Sequence, residues 1–396
     1  MPDEPTAPTA PPPPTTRRTR RRTVLRVVLV SALVLALVTG VATYVFVRHL
    51  DGNIKTGSLD ELGPGRPERQ YTGSGKPLNI LMMGDDSRDG PGNRIDNESG
   101  AGGSDTTILV HLSADRSRAY AVSIPRDSIV DRPECNGGES PAATRVMWNE
   151  AFTVGDELCT ADQFEQLTDI LLDHYVVVDF NGFGQMVEAV NGVPVCVPYD
   201  IVDEDNQIFV PQGDPSVLSG DQALDYFRAR YVGERLEQND ISRIRRQQEF
   251  IGALVRRVKS AGTLARPDRV IRFLEAATKS LRTDEDLGSV TKIARIALQL
   301  QDIGLDEVQF VTLPTEYFPV GSELSGKVFW TPDAYRIWDL LNHDEVLPDS
   351  LIGDTSVDAE GPGGGRGSSG SGSGGSGSGG SGGSGSEDEP VYGVCA

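Results

Sequence analysis

The sequence predicts an α/β domain with helices on both faces of a mixed sheet, preceded by one membrane-spanning helix. Three observations carry this. Short alternating or apolar runs that read as strands interleave with longer stretches of helical periodicity. An uncharged apolar run of about 21 residues, Val27–Val47, is long enough to cross a bilayer. After about Asp354 the composition collapses to Gly and Ser, which cannot bury a core.

The chain has 396 residues, enough for one large or two ordinary domains plus tails. Its apolar fraction of 38% is low because the polar ends dilute it, so the middle can still bury a core. A formal net charge of −21 argues against binding nucleic acid through a basic surface.

Residues 1–16 are rich in Pro and Thr and read as disordered, and Arg17–Arg22 follows as RRTRRR. Arg on the N-terminal side of the apolar run places that end in the cytoplasm and everything after His49 outside it. Tyr44 and Phe46 sit near the outer end, as interface anchors do. A cleaved signal peptide fits less well, because the run exceeds an ordinary h-region and no small-x-small site follows it. The expected order is thus a basic cytoplasmic tail (1–26), the span (27–47), an extracellular stalk (48–77), the folded domain (78–350) and a Gly/Ser tail (351–396).

Leu78–Met83 is an apolar strand, and a long polar loop with Asp85, Asp86, Arg88, Arg94 and Asp96 follows it. Strands at 107–112 and 120–124 form a hairpin. Helices are expected at Val146–Gly155 and Asp162–Leu172, then a strand at His174–Phe180, a helix at Asn181–Val190 and a strand at Val193–Val197. Ser219 caps a helix that must end near Phe227 if Arg228 and Arg230 are to share a face. A helix from Asn239 or Asp240 to about Lys259 carries Asp240, Arg243 and Gln247 on one side, with Arg246 and Gln248 on others. Helices near Pro267–Leu281 and Leu287–Leu300, a strand at Val308–Thr312 and a helix near Pro332–Leu341 complete the domain, with Trp330 and Trp338 in its core. Cys135 and Cys159 can pair in an oxidising compartment, whereas Cys196, in the apolar GVPVCVP, reads as a buried thiol.

The chemistry concentrates in charge. In YAVSIPRDSIV, Pro125 stops a strand and sets Arg126 and Asp127 at its end, where sheet proteins keep their sites. Alone, such a pair is also what a surface ion pair looks like. There is no GxSxG, HExxH or GxxxxGK[ST], and His numbers only four. His111 and His174 read as structural. Several Arg with several Asp suit phosphoryl chemistry, where a protein positions groups and neutralises charge, often with Mg²⁺ held by carboxylates.

NILMMGDDSR, SDTTILVHL, VSIPRDS, HYVVVDFNGF, GVPVCVP, LSGDQALDYFRARY and DISRIRRQQEF, in that order, resemble the LytR-CpsA-Psr family. The resemblance runs from about Asn79 to Ile251 and more loosely to about Asp344. It implies an α/β/α fold and transfer of a glycopolymer from a polyprenyl-pyrophosphate carrier onto peptidoglycan, at the membrane and without nucleic acid. It also implies a long apolar cavity for the lipid and Mg²⁺, or Mn²⁺, on the pyrophosphate. By motif, Asp86 and Asp105 look like the metal ligands, and Arg126, Arg228, Arg230 and Arg243 like the pyrophosphate clamp. Asp127, Asp240 and Gln247 look like its polar supports, with Asp105, Asp127 and Asp240 all open as general base. Two positions depart from the family pattern: Gly103 stands where an Arg is common, and Met147 where a Lys is. Gly103 leaves room for another reading, a non-catalytic binder of polyprenyl-phosphate lipids. A third reading, transcriptional attenuation, conflicts with a cytoplasmic part too small to fold.

Overall fold

The computed structural model describes residues 17–86, 103–203, 208–229, 240–303, 308–352 and 356–358. The chain divides into two units, Met1–His49 and Leu50–Ala396. The helix Arg17–Asp51 makes up the described part of the first. Its segment Val24–Asp51, with a mean hydropathy of 2.5, is long and apolar enough to cross a membrane.

The second unit is built on an eight-stranded mixed sheet. Its order is Lys55–Gly57, Leu281–Asp284, His174–Asp179, Leu78–Asp85, Ser104–Leu112, Ala119–Ile124, Val308–Thr312 and Ser356–Asp358. Alternation along the strands sorts side chains to two faces. Leu81, Met83, Leu109, Tyr120, Val122 and Ile124 point to one, where Trp148 and the helices Glu150–Thr168 and Pro332–Asn342 cover them. Ile108, Ala121 and Phe310 point to the other, against Ile251 of the helix Asp240–Lys259. That helix packs with Phe180–Ala189 and Gly220–Arg228 through Phe183, Phe227 and Phe250. The result is the expected three-layer α/β/α arrangement. Both faces are covered, so each large apolar side chain contributes roughly 1.5–3 kcal/mol by leaving water.

The hairpin expected from the 107 and 120 strands is present, Leu109 pairing with Val122. Ser219 caps its helix in a capping box with Gln222. Trp330 and Trp338 stack at 5.8 Å in the core. His111 is fully buried between Asn79 Oδ1 (2.7 Å) and Asp344 Oδ1 (3.2 Å).

Four expectations need correction. Residues 51–77 are not a stalk: Lys55–Gly57 pairs with Leu281–Asp284 as an edge strand, and Ile54 and Leu59 are buried. The charges that suggested a solvated stalk are engaged, Arg66 Nη2 with Glu165 at 2.7 Å and Arg69 Nη2 with Asp173 at 2.6 Å. Leu281–Asp284 is a strand where the sequence suggested a helix end, being too short for its period to show. The two helices expected between 146 and 172 are instead a strand, Ala143–Met147, and one helix, Glu150–Thr168, broken at Gly155 and at Asp156 (φ 52°). Cys196 is disulfide-bonded and not a free thiol.

Cys135 and Cys159 form the one bridge that was expected, across a sequence separation of 24. In the chain-entropy account this loop stabilises the fold by about 3 kcal/mol. The double variant C135S/C159S should therefore unfold at lower urea concentration by about that free energy, with the rest of the chain unchanged.

Glu249, on the helix Asp240–Lys259, is buried at 8% exposure. Burial pushes its carboxyl up to about 7, against the opposing effect of the Tyr226 hydroxyl, which donates to Oε2 at 3.3 Å. A carboxyl raised above its ordinary 4.5 binds its proton more tightly in the folded chain. Its stability contribution is whole below pH 4.5 and fades as pH rises through about 7, by about 3 kcal/mol in all. E249Q should flatten this decline in a pH series of denaturant melts.

Candidate active site

Four strands of the sheet run in one direction: Leu78–Asp85, Ala119–Ile124, His174–Asp179 and Val308–Thr312. Their C-terminal ends share one edge, which gathers Asp85 and Asp86, the turn after Ile124, Asp179 and Thr312. Such edges hold ligands because side chains from several connections meet there.

Pro125 ends its strand and accepts from the Ser128 N–H at 3.1 Å, which folds Arg126 and Asp127 into a tight turn. Arg126 Nε lies 3.9 Å from Asp127 Oδ2. Lys327 Nζ sits 3.0 Å from Asp127 Oδ1, and the Val328 N–H donates to the Asp127 carbonyl at 3.2 Å. The turn is thus held by Lys327 and by a second strand pair, Thr315–Tyr317 with Val328–Trp330. Its other side is tied to Asn149, whose N–H donates to the Arg126 carbonyl at 3.4 Å. Trp148, fully buried, fixes that neighbour by donating from Nε1 to Thr107 Oγ1 at 3.0 Å.

Arg228 is the last residue of its helix, and the chain turns extended at Ala229 (φ −53°, ψ 120°). This is the ending the sequence required. The guanidinium donates from Nη2 to Asp86 Oδ1 and lies 5.5 Å from the centre of the Phe180 ring. It therefore stands where charge meets the aromatic cluster of Phe180, Phe183 and Phe227. Asp86 in turn donates its N–H to the Gly103 carbonyl at 3.3 Å. A Cβ at Gly103 would meet Thr153 Oγ1 at 3.6 Å and Asn149 Nδ2 at 3.7 Å. Hydrogen bonds thus link Arg126 to Asn149 and Gly103 through Asp86 to Arg228, and Asn149 lies near Gly103.

The helix Asp240–Lys259 locks this arrangement from behind. Gln247, at 3% exposure, donates from Nε2 to the Phe227 carbonyl at 3.3 Å. Arg246, which the helical wheel sets on another face, donates to the Ala229 carbonyl. Gln248, fully buried, reaches Ser123 Oγ at 2.8 Å, beside the Arg126 turn. Arg243 is buried at 3% on the same helix. Arg230, Arg88, Arg94 and Asp96 lie outside the described residues, as do the side chains of Asp105 and Asp240. The backbone sets Asp105 in the strand Ser104–Leu112 and Asp240 at the first position of its helix.

Residues 48–345 match the model of the LytR_cpsA_psr family. The chain belongs to the LytR-CpsA-Psr family. It is 31% identical to the cell wall biosynthesis protein LcpA of Corynebacterium glutamicum over 84% of this chain and 68% of that one. It is 28% identical to the polyisoprenyl-teichoic acid–peptidoglycan teichoic acid transferase TagV of Bacillus subtilis, over 83% of this chain and 81% of that one. The crystal structure of B. subtilis TagV overlays with a TM-score of 0.50 at 25% identity, over 69% of this chain and all (100%) of that one. A LytR-Csp2A-Psr enzyme from Actinomyces oris overlays with a TM-score of 0.53 at 14% identity, covering 73% of this chain and 96% of that one, a likeness of fold.

Within this LytR-CpsA-Psr fold, sequence reasoning passed over Lys327, Arg282 and Glu157. Lys327 lies 200 residues from its partner Asp127, so no local signal could join them. Carboxylates suited to a hard cation are present at Asp86 and in the adjoining strand at Asp105, yet Asp86 Oδ1 is engaged by Arg228. Among the described residues no group of three His, Cys, Asp or Glu is assembled for a metal.

Gln247 acts here through the Phe227 carbonyl that ends the Arg228 helix. Q247L leaves that carbonyl without its donor and should lower stability by about 1–3 kcal/mol in urea unfolding.

Proposed function

We propose that this chain is a membrane-anchored transferase that moves a glycopolymer from a polyprenyl-pyrophosphate carrier onto peptidoglycan outside the cytoplasm. The observation that carries this reading is the meeting of the Arg126–Asp127 turn and the Arg228–Asp86 pair at one sheet edge, beside an aromatic cluster. The names of LcpA and TagV, which speak of cell wall and teichoic acid transfer, support it. The span Val24–Asp51, with Arg17–Arg22 before it, supports an anchor whose basic end stays in the cytoplasm.

In this reading Arg126, Arg228, Arg230 and Arg243 hold the carrier's pyrophosphate, with planar donor forks matched to phosphate oxygens. The polyprenyl chain leaves along the aromatic side, past Phe180 and Phe227. A peptidoglycan hydroxyl attacks the phosphorus that carries the glycan. A P–O bond to that hydroxyl forms, and the bond to the lipid-side phosphate breaks, so lipid monophosphate departs. A carboxylate among Asp105, Asp127 and Asp240 takes the hydroxyl proton. Asp127 stands between Lys327 and Arg126 in the turn. Asp86 and Asp105 would hold Mg²⁺, or Mn²⁺, which supplies charge neutralisation on the pyrophosphate.

Gly103 favours a second reading, a lipid-phosphate-binding scaffold without turnover, because it contributes no side chain at the site. The two separate in one assay. Full-length protein in detergent is given a polyprenyl-pyrophosphate-linked oligosaccharide and peptidoglycan, and released lipid monophosphate and linked glycan are measured. The wild type should turn over, and R126A should be slower by about a hundredfold or more. Absence of turnover in the wild type, with lipid binding retained, overturns the transferase in favour of the scaffold.

A further inference from the structure

Two acid–base pairs flank the end of the strand Leu78–Asp85, one on each face of the sheet. Asp86 and Arg228 form the first, on the side of the aromatic cluster. Asp85 and Arg282 form the second, on the side of the helix Glu150–Thr168. Arg282 Nη2 lies 2.8 Å from Asp85 Oδ2 and 3.5 Å from Glu157 Oε2. Its guanidinium stands 6.0 Å from the centre of the Phe152 ring.

The two carboxylates are nearly enclosed, with side chains 10% and 15% exposed, while that of Arg282 is 30% exposed. Glu157 comes directly after the break at Gly155 and Asp156. Only one nitrogen of the fork is used. Nε and Nη1 of Arg282 have no hydrogen-bond partner among the described residues, and neither is buried. Arg66, by contrast, uses two nitrogens, Nε and Nη2, on Glu165. Arg282 instead presents a fixed cation with donors to spare.

Small and polar groups lie next to it on that face. Asp85 pairs in register with Ser104, next to Gly103. Gly103 has no side chain, and among the described residues a Cβ there would meet Thr153 Oγ1 at 3.6 Å and Asn149 Nδ2 at 3.7 Å. Thr153 adjoins Phe152, over which Arg282 lies. Arg126 is joined to the same corner through Asn149.

We infer that Arg282 is a further substrate-binding residue, a donor to a phosphate oxygen of the carrier's pyrophosphate from the face opposite Arg228. Asp85 and Glu157 position it. The inference rests on the transferase reading for the identity of the ligand. It adds to the phosphate site a guanidinium from a distant strand.

The test is binding of geranylgeranyl pyrophosphate and of inorganic pyrophosphate to the full chain in detergent, for wild type, R282Q, R282K and R126A. R282Q should bind both probes about ten- to a hundredfold more weakly, the loss expected of a charge-assisted hydrogen bond. R282K should recover part of that loss. In the transfer assay R282Q should act mainly through KM. If R282Q proves unstable, R282Q/E157Q, which removes the stranded carboxylate, is read in its place. Undiminished binding of both probes by the folded variant overturns the inference, whatever its melting temperature. Loss of the lipid probe alone also overturns it, because the contact would then be with the chain and not the phosphate. R126A is the separate control: if it too binds both probes like the wild type, the proposed function fails and not only the role of Arg282.

Discussion

Guanidinium groups repel one another, and a site built from several of them holds together only if carboxylates fix each one in place. This constraint governs the sheet edge described here. Arg228 rests on Asp86, Arg282 on Asp85, and Arg126 shares Asp127 with Lys327. The carboxylates stand at strand ends or in the turn directly after one, where the hydrogen-bonded ladder leaves little freedom. Their long-range partners can therefore be brought from helices, strands and hairpins far along the chain. Exposed ion pairs are worth little, but these are half-buried at a concave edge, where solvent screens them less.

The arrangement also explains why so much polar machinery is hidden beneath the site. Gln247, Arg246 and Gln248 sit on successive positions of one helix and are almost fully buried. Each holds something at the edge: the Phe227 carbonyl, the Ala229 carbonyl and the Ser123 hydroxyl. Between them they set where the Arg228 helix stops and how the Arg126 strand ends. A helix that merely packed would carry apolar side chains at these places, since burying unpaired amides and guanidinium groups is costly.

Much of the site's outline was legible in the sequence. Pro125 marks a strand end in one residue, and the turn with Arg126 and Asp127 follows from the missing N–H. Ser219 and the end of its helix near Phe227 were legible for the same kind of reason, local capping chemistry. What was not legible fell into two kinds. Short edge strands such as Lys55–Gly57 and Leu281–Asp284 show no period in so few residues. Partners such as Lys327 and Arg282 look like any surface cation until the fold brings them to a carboxylate.

The sequence by itself determined the apolar span, the alternation that sorts side chains to two faces of a sheet, and the placing of charged residues after strand ends. These depend on spacing between near neighbours, so they can be read one window at a time. Only the tertiary structure decided which arginine meets which aspartate, that Lys55–Gly57 joins the sheet, and that Cys196 is oxidised. Those outcomes depend on strand order and register across more than a hundred residues, and no local pattern carries that information.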